Sequence, residues 1–136
     1  MKLRILLGYQ LLTGFSDTTT GLLLILSPAL TLQLMRLTAH SSSLPFLSYI
    51  GAFVLSVGVA CLYGAYLVGR GGFTQKLEVV WLLTAFTRGL VTTFIVWKVM
   101  SGVLEAGWLT VAVSDGALAL IQGVGLFRNW LEDVAR

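Results

Sequence analysis

Three residues stand out because their chemistry does not suit their surroundings. Asp17, Arg88 and Asp115 are ionisable, and each lies near the middle of a long apolar run. Such a group at the centre of a membrane helix costs about 2.5–3.5 kcal/mol on insertion scales, so contact with lipid and no partner is disfavoured. A guanidinium offers five donors in a planar fork and can serve two carboxylates at once. At a helical rise of about 1.5 Å per residue, the three residues fall close to one plane. The expectation is therefore an Asp–Arg–Asp network at a single depth. Two readings stay open. The network fixes helix register and rotation, as buried ion pairs can, or it is a proton- or ion-responsive site or the anchor for a polar ligand head.

Their neighbours at helical spacing extend a polar seam. Gln10, Gly14, Asp17 and Gly21 share one helical face; so do Thr84, Arg88 and Thr92; so do Trp108, Ala112, Asp115, Ala119 and Gln122. Gln10 and Gln122 then lie about 10 Å from the charged layer. A different pattern occupies the second apolar run, where Ala52, Ser56, Ala60 and Gly64 recur every four residues. Such a small-residue ladder predicts a packing face, within the chain or toward a second copy or a membrane-protein partner.

Other chemistry is thin. Cys61 is the single cysteine, which excludes an internal disulfide, a CxxC redox pair and a thiolate metal cage; it reads as a small buried hydrophobe. His40 is the single histidine and reads as a solvated loop residue. Gly69-Arg70-Gly71-Gly72 is not followed by the Lys-Ser/Thr of a phosphate-binding loop. No metal and no cofactor is expected, and no basic stripe suggests nucleic acid.

The elements that must carry these residues follow from composition. The 136-residue chain is 57% hydrophobic and 11% charged, against roughly 25% charged in soluble domains. This balance suits a bilayer. Four apolar spans appear, about 5–26, 46–68, 79–97 and 107–127, each near the roughly 20 residues that cross a hydrocarbon core. Short connections between them predict an all-α, up-down four-helix membrane bundle in a single domain. Leu30, Leu34 and Leu37 within 28–39, and Phe127, Trp130, Leu131 and Val134 at the other end, predict short interfacial helices after the first and fourth spans. The apolar start carries Asp17 and no Ala-x-Ala site, and so reads as a retained first helix.

Basic residues set the direction. Lys2, Arg4, Arg70, Lys76, Arg128 and Arg136 fall on one side of the spans, Arg36 and Lys98 on the other. The positive-inside rule places both termini in the cytoplasm. Trp81 and Trp130 mark the cytoplasmic interface and Trp97 and Trp108 the opposite one, as an aromatic belt would.

Arg4, Gly8 and Gly14 are spaced much as in the opening segment of bacterial DoxX-like proteins, and the four-span layout resembles that family. The likeness covers the layout and about fifteen residues of the first helix. It implies a small four-helix protein of the bacterial inner membrane. Where that family often places a basic residue after the second glycine, this chain has Asp17.

The absence of a nucleophile–base pair or cofactor motif argues against chemistry of its own. The leading expectation is an accessory or structural subunit, or a binder of a lipid-like ligand in contact with membrane lipid. The alternative is a small proton-coupled transporter that titrates Asp17 and Asp115 against Arg88. A third reading makes Asp17 or Asp115 the general acid or base of a lipid-modifying enzyme.

Overall fold

The computed structural model describes residues 2–38, 41–71 and 73–135. His40, Ala39 at the end of the expected interfacial stretch, Gly72 and Arg136 lie outside the described residues. Among the described residues the secondary structure is helical, with no strand. The helices are α1 (Lys2–Leu26), α2 (Pro28–Leu34), α3 (Leu44–Arg70), α4 (Thr74–Met100), α5 (Leu109–Phe127) and α6 (Trp130–Ala135). Single 3₁₀ turns, Ser41–Ser43 and Ala106–Trp108, lead into α3 and α5.

Among the described residues, three segments are long and apolar enough to cross a membrane: Ser41–Arg70, Thr74–Met100 and Ala106–Phe127. α1 is 25 residues long, about 37 Å at helical rise, but is not one of the three. Gln10, Ser16, Asp17 and Thr18-Thr19-Thr20 dilute its apolar character. Large apolar side chains cover the outside of the helices; Leu12 is 74% exposed, Phe46 71%, Phe86 64% and Leu120 70%. A water-soluble surface does not carry apolar area on this scale, whereas lipid accepts it. The chain is that of a membrane protein.

The fold divides into two compact units, Met1–Arg70 and Gly71–Arg136. In unit 1, α1 and α3 run antiparallel and touch along glycines. A Cβ on Gly21 would fall 2.5 Å from the Leu55 nitrogen, one on Gly14 would fall 2.7 Å from Leu62 Cδ2, and one on Gly58 would strike the Thr18 backbone. Each helix thus offers two glycines seven residues apart, Gly14 with Gly21 and Gly51 with Gly58. Most buried residues of α3 keep to steps of three, four or seven, through Leu47, Gly51, Gly58, Cys61, Ala65 and Val68, with Gly64 and Leu67 widening the buried face near the helix end. This is the spacing that keeps a seam facing its partner.

The Ala52, Ser56, Ala60 and Gly64 ladder does not follow that seam. Ala52 and Ser56 are exposed, Ala60 is half-buried and only Gly64 is buried. A strict four-residue step advances about 400° and drifts around the helix by some 40° each time. Ser56 instead donates its hydroxyl to the Ala52 carbonyl, at 2.8 Å.

The two short helices form, with faces that differ from expectation. α2 begins with Pro28 at its first position, where a missing N–H costs nothing. It ends when Arg36 adopts φ 55°. Arg36 N–H then donates to the Gln33 carbonyl and Leu37 N–H to the Leu32 carbonyl, the two bonds of a Schellman stop. Leu37 is thereby folded back and buried together with Leu32, while Leu30 and Leu34 stay exposed. In unit 2, Asn129 at φ 54° separates α5 from α6. Phe127 therefore belongs to α5 and is 90% exposed, while Leu131 of α6 is buried.

Candidate functional site

α4 and α5 pack antiparallel in unit 2, and polar contacts bridge them at successive depths. At the centre, Arg88 Nη1 donates to Asp115 Oδ1 at 2.6 Å, a charge-assisted bond. The Arg88 side chain is 4% exposed and that of Asp115 21%. One helical turn along, Thr92 Oγ1 donates to the Ala112 carbonyl at 3.2 Å. In the other direction, Gln122 Nε2 donates to Thr84 Oγ1 at 2.9 Å, with both residues buried. Thr84 passes its own proton back to the Val80 carbonyl at 2.8 Å, so the hydroxyl both gives and receives. Gln122 Oε1 is buried with no hydrogen-bond partner among the described residues.

The spacing explains why these residues meet. Thr84, Arg88 and Thr92 are four apart on α4, and Ala112, Asp115 and Gln122 are three and seven apart on α5, so each set forms one face. Gly116 lets the helices close around Thr92, where an added Cβ would sit 3.2 Å from Thr92 Cγ2. Lower down, the Trp81 ring covers Gly125; a Cβ there would lie 2.5 Å from Trp81 Cζ3. Trp81 is consequently buried rather than displayed at an interface. Trp97 is exposed, with the Lys98 ammonium 4.5 Å from its ring centroid.

Of the expected charged trio, Arg88 and Asp115 form a pair inside unit 2, and Asp17 is a half-buried residue of α1 in unit 1. Of the expected seam, Thr84 and Gln122 bond directly and Thr92 reaches across to α5. Gln10, in unit 1, is fully buried, and neither end of its amide has a partner among the described residues. A buried amide left unbonded costs about 1–3 kcal/mol, so Gln10 is an uncompensated polar group inside unit 1. Sequence reasoning named these residues but not the Thr84–Gln122 bond; its signal was one buried-type polar residue on each facing helix at matched depth. It also missed Gly51 and Gly58, whose seven-residue spacing mirrors that of Gly14 and Gly21.

No protein-family model matches the sequence, and comparison with curated proteins and with solved structures returns no match.

Proposed function

We propose that this chain is a small four-span membrane protein, an up-down helical bundle with both termini cytoplasmic and α2 and α6 lying at the membrane surface. In this reading it acts without chemistry of its own, as an accessory or structural subunit or as a binder of a lipid-like ligand. Its location would be the bacterial inner membrane, as the DoxX-like resemblance implies. The observation that carries the reading is the Arg88–Asp115 pair, a buried guanidinium on a half-buried carboxylate, which joins two helices that are each long and apolar enough to cross a membrane. A pair so placed holds two helices at one rotation and one depth, which is the work of a scaffold. Asp17 would complete the network as a second carboxylate.

Exchanging the whole network tests this. The variant Asp17→Leu, Arg88→Met, Asp115→Leu should insert, fold and retain stoichiometric partners or bound lipid on purification from native membranes. Loss of partners or lipid from a folded variant would contradict the scaffold role.

One observation favours a second reading, a proton-coupled transporter. The Asp115 side chain is 21% exposed and that of Arg88 4%, so of the two the carboxylate is the one left open to titration, provided that water enters beside it. That reading requires the reconstituted protein to move protons and the triple variant to stop doing so while still folded.

A further inference from the structure

The net charge of the chain is concentrated in unit 1. Between residues 1 and 70 stand Lys2, Arg4, Arg36 and Arg70 against Asp17 alone, a balance of +3. Residues 71–136 hold Lys76, Arg88, Lys98, Arg128 and Arg136 against Glu78, Glu105, Asp115, Glu132 and Asp133, a balance of zero. Moreover, the excess in unit 1 is gathered at one end. Gly14 lies opposite Leu62 and Gly21 opposite Leu55. Carried back along α1, that register brings Arg4 to within about 3 Å of the depth of Arg70. Lys2, Arg4 and Arg70 are all exposed. Asp17 is about 20 Å further along α1, so no carboxylate of this unit balances them.

Aromatic groups accompany the cations. The Arg70 guanidinium carbon lies 5.0 Å from the Tyr66 ring centroid. The Tyr66 ring in turn stacks on Tyr63, with centroids 6.2 Å apart and planes at 25°. Tyr63 is 48% exposed and Tyr66 51%, on the side of α3 turned away from its buried seam. Resting on the ring face leaves a guanidinium's N–H edge free, and that edge matches a phosphate in bidentate fashion. The tyrosines present apolar faces with polar tips, the profile of residues at the boundary between acyl chains and headgroups.

We propose that this end of unit 1 binds an anionic phospholipid. Arg70 grips the phosphate, Lys2 and Arg4 add positive charge at the same depth, and the Tyr63–Tyr66 shelf lies along the upper acyl chain. The inference rests on the membrane-spanning reading and is independent of the choice between scaffold and transporter. A basic residue near a membrane surface contributes about fivefold in affinity for anionic lipid.

The test is native mass spectrometry of the full chain in detergent, titrated with phosphatidylglycerol and, separately, with phosphatidylcholine. Arg70→Gln should weaken phosphatidylglycerol binding about fivefold, and adding Lys2→Gln and Arg4→Gln should bring the loss to about a hundredfold. Phosphatidylcholine binding should stay unchanged. Tyr66→Leu, which alters no charge, should weaken phosphatidylglycerol binding about two- to fivefold. Arg36→Gln, remote from the cluster on α1 and α3, should leave it as it was. The proposal is overturned if the triple variant retains phosphatidylglycerol, or if Arg36→Gln costs as much as Arg70→Gln, since diffuse charge would then account for binding. Failure of the membrane reading itself would look different, with the chain released from membranes by carbonate washing.

Discussion

In unit 1 the helices meet backbone to backbone, across Gly14, Gly21, Gly51 and Gly58; in unit 2 they meet through side chains, across Arg88–Asp115, Thr84–Gln122 and Thr92. Both are answers to one difficulty. Lipid is as apolar as leucine, so the hydrophobic effect does not drive one membrane helix against another. Close approach gains dispersion over a long seam and depends on shape alone. Polar bridges gain less contact but fix rotation and depth, and they depend on both partners being present. The two units should therefore fail differently: unit 1 when atoms are added, unit 2 when one partner is removed.

The largest effect is expected in unit 2. Arg88→Met leaves the Asp115 carboxylate between helices without its counter-charge, a loss of about 3–5 kcal/mol that should appear as a reduced folded fraction in mixed-micelle unfolding. Next comes Gly58→Val in unit 1. Its Cβ would strike the Thr18 backbone, which cannot step aside as a side chain can. Overpacking of this kind costs about 1–3 kcal/mol, read in the same unfolding experiment; a neutral outcome would mean that α1 and α3 are not in close contact. Gln122→Leu removes a single interhelical hydrogen bond and should cost only about 1 kcal/mol, because Thr84 keeps its bond to the Val80 carbonyl. Smallest of all, Ser56→Leu should change stability by less than about 0.5 kcal/mol, since Ser56 is exposed on α3. A large loss at Ser56 would return the four-residue ladder to the packing face and erase the contrast with Gly58.

The sequence made some of this visible and hid the rest for physical reasons. Apolar runs located the cores of α1, α3, α4 and α5 but not their ends. The expected third span, 79–97, lies inside a helix that extends over Thr74–Met100, because Gln75, Lys76, Glu78 and Lys98 continue the helix beyond the apolar stretch. The Arg88–Asp115 contact could be anticipated because two charges in apolar surroundings have few alternatives to each other. The packing face of α3 could not be read from small residues alone. Ala52 and Ser56 are as small as the residues that meet α1, and only the seven-residue spacing of Gly51 and Gly58, matched by Gly14 and Gly21, identifies the face in contact within this chain. Local backbone reversals at Arg36 and Asn129 escaped helical-face reasoning, which assumes that the helix continues.

The central claim is that α4 and α5 are held in register by the Arg88–Asp115 pair. A double-mutant cycle tests it most directly: unfolding free energies in mixed micelles for the parent, Arg88→Met, Asp115→Leu and the two combined. If the pair is a unit, each single change is strongly destabilising while the double variant recovers most or all of the loss, because the unpaired charge is gone. If instead the double variant loses the sum of the two single effects, Arg88 and Asp115 act through other partners and the account of unit 2 is contradicted.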